Sequence, residues 1–192
     1  MIKNIVFDIG KVLVRFDWED YLASFQFPEE ETTAIAKAMF LSSNWNLVDE
    51  GRLSYEEIEQ IFVDSCPAYA DDIRLVFAHF GDCITRFPYT RHWISSLKQQ
   101  GYQVYYLSNY GDFTCQYTRK DLDFCDLMDG GVMSYEVKCL KPDPVIYQNL
   151  FEKYHLKPEE CVFIDDNAAN IDAAKKLWMK TILFQDYFQA QK

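Results

Sequence analysis

A chain of 192 residues that is 49% hydrophobic and 17% aromatic can bury a full core, so one globular domain, with or without a large insertion, is expected. Its formal charge of -11, from 19 basic and 30 acidic residues, argues against nucleic-acid or anionic-membrane partners, which need a basic footprint. No apolar stretch approaches the ~20 residues that span a bilayer, and six cysteines stand at unpaired spacings, so reduced thiols and a cytoplasmic location are expected.

In chain order, Ile2 to Phe7 is apolar apart from Lys3 and Asn4, the near-continuous pattern of a strand buried on both faces. Asp8 closes that run. An acid there is badly placed for packing, and the crevice beyond the carboxyl ends of the strands is where an open α/β sheet binds ligands. Gly10 follows, read as a tight, glycine-permitted excursion before a second apolar run from Val12 to Val14.

Helical spacing then takes over. Trp18, Tyr21, Leu22 and Phe25 share one face up to a stop near Pro28, and Ala34, Ala38 and Leu41 continue after the first-turn acids Glu29 to Glu31. A loop of Asp49, Glu50, Gly51, Arg52, Leu53 and Ser54 precedes a helix whose start is marked by the capping-box spacing of Ser54 and Glu57. Ile58, Ile61 and Phe62 form its apolar face, and another helix is expected from about Asp71 to Cys83. Residues 15–87 therefore read as an all-helical insertion, shaped like a lid, between core segments 1–14 and 88–192.

From Pro88 strands and helices alternate. The pattern predicts a helix from Tyr89 to Gln100 capped by Gly101, a strand from Tyr102 to Leu107 running into Ser108 and Asn109, and a helix from Asp112 to Lys120. A short strand at Val132 to Ser134 follows, then a helix opened by Asp143 and Pro144. A strand from Cys161 to Ile164 stops at Asp165 and Asp166, a helix covers Ala168 to Leu177, and a last strand covers Thr181 to Phe184. The expected class is α/β: a Rossmann-like parallel sheet sandwiched by helices, with an inserted helical cap.

Three strand ends thus carry polar groups: Asp8, the Ser108 and Asn109 pair, and the Asp165 and Asp166 pair, with Lys141 at a helix start between the last two. Singly, each has an ordinary role, since paired acids cap helices, Ser and Asn populate loops, and a lysine before proline faces solvent. Together they make a phosphate site. Carboxylates converging at one edge need a cation, and hard oxygen ligands select Mg2+. Ser108 and helix-terminal amides can hold phosphate oxygens while Lys141 supplies a fixed positive charge.

The succession FDIGKVLV, LSN, KPDP and FIDDNAAN, with a helical insertion after the first, resembles the haloacid dehalogenase superfamily of aspartate-nucleophile hydrolases along the whole chain. The DxGxVL opening, the EGRLS loop and the DDNxxN ending are similar to its sugar-phosphate phosphatase subgroup, which includes bacterial glucose-1-phosphate phosphatase, and to the phosphatase domain of soluble epoxide hydrolases. The resemblance implies that Asp8 attacks phosphorus to give an aspartyl-phosphate, which water hydrolyses. It implies a Mg2+ ion on the Asp8 carboxylate, the Gly10 carbonyl and Asp166, with Asp165 beside them. Ser108 and Asn109 would contact the phosphoryl group, and Lys141 would neutralise the charge that Asp8 and phosphate share.

One position departs from the superfamily's pattern. Most of its phosphatases carry a general-acid aspartate where this chain has Gly10, so ~10²-fold to 10⁴-fold of acid–base assistance is at risk. That departure favours an acidic leaving oxygen, such as the anomeric oxygen of a sugar 1-phosphate. Glu50 or Arg52, delivered from the lid, either replaces the missing group, contacts the substrate, or belongs to a solvated helix-entry loop. Trp45 either lines the pocket or anchors the insertion. The favoured function is a Mg2+-dependent phosphatase of a small phosphorylated metabolite, as monomer or homodimer. The alternatives are a metal-free 2-haloacid dehalogenase, whose relatives typically carry serines where Asp165 and Asp166 stand, and a weakly catalytic protein that binds phosphorylated ligands or partner proteins.

Overall fold

The opening apolar run becomes β1 (Asn4–Phe7), buried at all four residues and placed in the middle of a sheet. The computed structural model describes residues 1–191. Parallel pairing puts β4 (Gln103–Ser108) on one side of β1 and β6 (Cys161–Asp165) on the other, with Phe7 level with Tyr106 and Ile164. β5 (Gly130–Met133) and β7 (Lys180–Leu183) complete the parallel order β5-β4-β1-β6-β7. Residues of β1 alternate between two cores: Ile5 and Phe7 face one, Val6 the other. Burial on both faces is why β1 reads as unbroken apolar sequence.

Helices cover both faces. α6 (Thr90–Gln99) packs Trp93 and Ile94 against the Phe7 side, and Phe7 and Trp93 meet edge to face at 4.7 Å. α9 (Pro144–Tyr154) and α10 (Ala168–Lys176) bring Ile146, Tyr147, Leu150, Ile171 and Ala174 to the Val6 side. The Asp143 side chain caps α9, and Asn167 caps α10. Two short helices, α7 (Asp112–Tyr117) and α8 (Ser134–Val137), follow β4 and β5, and α11 (Tyr187–Ala190) ends the described chain, with Tyr187 stacked on Tyr89.

Between β1 and α6 lie five further helices: α1 (Trp18–Ala23), α2 (Glu29–Ala38), α3 (Trp45–Glu50), α4 (Tyr55–Ser65) and α5 (Ala70–Ala78). The reading of 15–87 as wholly helical needs one correction. An antiparallel ribbon, β2 (Val14–Phe16) with β3 (Ile84–Arg86), joins the helices to the sheet. Strands of three residues are too short for a period-two pattern to show in the sequence. The capping box at Ser54 and Glu57 forms as expected, with both reciprocal hydrogen bonds. The expected loop, however, starts later: Asp49 and Glu50 are the last turn of α3, which Gly51 closes at φ 60°. Ile35 of α2, Val48 of α3, Ile58 and Phe62 of α4 and Phe77 of α5 join the same continuous core as Phe7 and Trp93, so these helices pack on the sheet's own hydrophobic layer.

Candidate active site

Three strand ends converge on one rim. Asp8 follows β1, Ser108 ends β4 and Asp165 ends β6. Asp8 Oδ1 accepts from the Ile9 amide at 2.7 Å and from Ser108 Oγ at 2.7 Å, and Lys141 Nζ lies 2.9 Å away. All three bonds fall on one oxygen, so Oδ2 is left to the cavity. Lys141 Nζ also donates to Asp165 Oδ2 at 2.7 Å, and the lysine is buried. Asn109 fixes the lysine from behind: its Oδ1 accepts from the Lys141 amide at 2.7 Å and its Nδ2 donates to the Lys141 carbonyl at 3.1 Å.

Asp165 is fully buried and already engaged. Its oxygens accept from Lys141, from the Asn167 amide at 2.7 Å and from Asn170 Nδ2 at 3.1 and 3.2 Å. Asp166 next to it is exposed, lines the cavity, and has one oxygen within 4.8 Å of oxygens from Asp8 and Asp165. Burial raises the Asp8 carboxyl above the ordinary carboxylate range, with Lys141 opposing. Burial also works against the Lys141 charge, but Asp8 and Asp165 outweigh it and hold the ammonium above its usual value. Burial and Asp165 push Asp166 up, against the pull of Lys11 and Lys141.

The turn after Asp8 differs from expectation in one detail. Gly10 needs no glycine-only conformation, and a side chain there would meet nothing within 4 Å; the positive φ, 58°, falls on Lys11. The amides of Leu13 and Val14 converge on the Ile9 carbonyl, while Thr90 Oγ1 and Tyr89 Oη of the α6 start grip the Leu13 and Val12 carbonyls at 2.6 and 2.9 Å. The turn is held from outside, and Gly10 faces the cavity.

That cavity is about 290 Å3 and is walled by three sources. The sheet edge gives Asp8, Ser108, Asn109, Lys141 and Asp166; the ribbon gives Val14, Phe16 and Ile84; and α3 gives Trp45 and Asp49. Trp45 serves both expected roles, since it lines the cavity and also packs on Phe16, Phe40, Phe62 and Phe80. Glu50 and Arg52 do not line it. They pair with each other at 3.2 Å, and Arg52 donates to the Lys138 carbonyl while Lys138 Nζ donates to the Gly51 carbonyl. The helix explains the difference: Trp45, Val48 and Asp49 stand at i, i+3 and i+4 on the inward face, and Glu50 is turned a further step away.

The model of the haloacid dehalogenase-like hydrolases matches residues 2–177. The chain belongs to this family. Among curated proteins it is 27% identical to a D-ribitol-5-phosphate phosphatase of Bacteroides thetaiotaomicron, across 94% of this chain and 91% of that one. It is 26% identical to bifunctional epoxide hydrolase 2 of Mus musculus, across 82% of this chain but 29% of the larger protein. A haloacid dehalogenase family enzyme from Bacteroides thetaiotaomicron, solved with magnesium and inorganic phosphate, superposes over the full length of both chains with a TM-score of 0.77 at 22% identity. The α/β architecture is the one these hydrolases share.

Sequence reasoning missed Asp49, Asn170 and Ser134. Asn170 was within reach, because Asn167 at the cap and Asn170 three positions on share a helix face toward Asp165. Asp49 was hidden by assigning it to a loop, where no helical face is counted. Ser134, which accepts from the Tyr110 amide at 2.8 Å and donates to the Asp49 carbonyl at 2.6 Å, has no local signal at all.

Proposed function

We propose that this hydrolase is a Mg2+-dependent phosphatase of a small phosphorylated metabolite, with sugar phosphates favoured, and that it works through an aspartyl-phosphate on Asp8. The observation that carries the reading is the meeting of Asp8, Asp165 and Asp166 oxygens within 4.8 Å at a strand-end rim where Lys141 already spends its charge on two of them. Excess negative charge at that spacing calls for a divalent cation, and an all-oxygen donor set suits magnesium. The residues fit it: Asp8 Oδ2 and Asp166 are available, and Gly10, whose carbonyl would be the third ligand, lines the same cavity. Asp165, with both oxygens engaged, holds Lys141 in place instead. When bound, magnesium would offset phosphoryl charge so that one anion can approach another.

The chain's own groups then do the rest. Asp8 supplies the nucleophilic carboxylate, Ser108 and Lys141 orient it, and the Lys141 ammonium screens the charge gathering between carboxylate and phosphorus. Asn109 holds Lys141 and borders the phosphoryl position. Thr114 Oγ1, buried in the wall with no hydrogen-bond partner among the described residues, offers a contact to a substrate hydroxyl. A cavity of this size suits a small metabolite, and the curated ribitol-phosphate relative supports a sugar phosphate.

The test is phosphate release from a panel of sugar phosphates, nucleotides and phosphoamino acids with MgCl2, repeated in EDTA. Turnover concentrated in sugar phosphates, abolished by EDTA, is the expected result. Asp8→Asn should lower kcat by at least about 10⁴-fold and abolish acid-trapped phosphoryl label. EDTA-resistant hydrolysis of 2-haloacids would favour the dehalogenase reading, and thermal stabilisation by phosphate esters without turnover would favour a binding protein.

A further inference from the structure

The geometry points to Asp49, a residue of α3, as the group that protonates the leaving oxygen and then activates the water, a duty that Gly10 has no side chain to perform. This rests on the phosphatase reading above and adds a residue to it. In phosphoryl displacement the attacking and leaving oxygens are roughly in line. With Asp8 attacking from the sheet edge, the ester oxygen points to the opposite wall. Away from that edge the lining includes Val14, Phe16 and Ile84 from the ribbon, Thr114 from α7, and Trp45 and Asp49 from α3. Asp49 is the one carboxyl among them. The other acids of the cavity, Asp8 and Asp166, sit on the sheet side, and Lys141 is bound to Asp8 and Asp165.

Asp49 is also held there. Its carbonyl accepts from Ser134 Oγ at 2.6 Å, and that fully buried serine accepts in turn from the Tyr110 amide, two residues beyond Ser108. The preceding Val48 carbonyl lies so close to Gly111 that a Cβ there would be 2.2 Å away, so the end of α3 is seated against the chain just past β4. The backbone is therefore fixed, while no described residue hydrogen-bonds the Asp49 carboxyl. Burial, then the nearby Asp8 charge, raises that carboxyl to about 7, with Lys141 opposing, so a proton is at hand near neutrality.

The chemistry balances without a further reactant. As an Asp8 oxygen bonds to phosphorus, the ester P–O bond breaks with its electron pair on the ester oxygen, which takes the Asp49 proton and leaves as the alcohol. Water then attacks the aspartyl-phosphate and gives a proton to the Asp49 carboxylate. The P–O bond to Asp8 breaks with its pair on Asp8, inorganic phosphate departs, and both acids return to their starting states.

The test compares phosphoenzyme formation by wild type and Asp49→Asn, using an alkyl ester, the best sugar phosphate of the panel that carries its phosphate on a primary alcohol, and 4-nitrophenyl phosphate, whose leaving group needs no proton. Asparagine keeps the shape and the carbonyl that Ser134 holds. The expected result is a rate from the alkyl ester lowered by about 10²-fold or more, with the rate from the nitrophenyl ester within a few-fold of wild type. A nitrophenolate burst of one equivalent should then precede slow turnover, because water activation is lost too. Equal slowing with both esters, or none with either, overturns the assignment while leaving the phosphatase reading intact. A wild-type protein inactive on the whole panel overturns both.

Discussion

The molecule joins its sheet edge to its surroundings through two charge clusters that contain the same kinds of group and differ in water. At the rim, Lys141 bridges Asp8 and Asp165 with side-chain exposures of 1%, 11% and 0%. Beside it, Arg52 and Glu50 pair at exposures of 58% and 29% and clasp the loop after α3 to α8 through Lys138. Removing charges from water is costly unless each polar atom finds a partner, and the rim cluster meets that condition for Asp165 and Lys141 but leaves Asp8 Oδ2 open beside the exposed Asp166. Solvent screens the clasp, so its pairs contribute little to stability. Partners left unmade at a buried place mark the chemistry, and ion pairs made in water mark a fastening.

The largest effect is expected at Lys141. Lys141→Met leaves Asp8 and Asp165 buried without their counter-ion and should cost about 3–5 kcal/mol, a fall in Tm of about 6–15 °C for a chain of this length. The deficit should narrow at pH 5. Asp8, already raised by burial, loses the ammonium that pulled the other way, so the folded variant binds a proton that the unfolded chain releases, and stability falls as pH rises. A Tm unchanged by Lys141→Met would mean that the buried bridge carries no stability. Next in size is the division of labour between the adjacent acids. Asp166→Asn should raise the magnesium needed for half-maximal activity by about 100-fold, whereas Asp165→Asn should raise it by no more than about 10-fold, because it acts through Lys141. A reversed order in a magnesium titration would return Asp165 to the metal.

The same division explains how much the sequence discloses. β1 was legible because burial on both faces writes an apolar run, and Asp8, Ser108 and Asp165 because each interrupts or ends such a run. The ribbon of β2 and β3 was not, since three residues carry no period. Glu50 and Arg52 attracted notice as charged residues flanking a glycine, yet their neighbour Asp49 reaches the cavity. Which of two adjacent acids faces inward depends on helix phase, and phase is unreadable where the helix itself, α3, goes unrecognised. Ser134 is decided by tertiary contact alone.

Asp49 sharpens the contrast because it belongs to the same segment as the clasp but behaves like the rim. The folded protein holds its proton up to about pH 7, whereas the unfolded chain releases it near pH 4. The folded state therefore binds more protons across that interval, and stability falls as pH rises from about 4 to 7 and stays lowered above. Asp49→Asn carries no such penalty. In EDTA at pH 8 it should be more stable than wild type by about 1–2 kcal/mol, discounted because the carboxyl faces cavity water, or about 2–6 °C in Tm. The gain should vanish near pH 4. A loss of stability at pH 8 would show that the carboxylate is a structural partner.

The smallest effect is expected at the clasp. Arg52→Ala removes an exposed pair with Glu50 and one hydrogen bond to the Lys138 carbonyl, while Lys138 still reaches the Gly51 carbonyl. Double-mutant measurements of exposed pairs bound the loss at about 0.2–1 kcal/mol, and high salt should erase most of it. Because Arg52 points away from the cavity, KM for the best substrate should stay within about twofold, against the tenfold or greater rise that losing a charged hydrogen bond to phosphate, worth about 1.5–3 kcal/mol, would bring. A large KM effect with Tm unchanged would move Arg52 from the fastening to the substrate. It would also mean that the segment after α3 swings inward when a phosphate ester binds, an arrangement in which Glu50 would approach the rim as well.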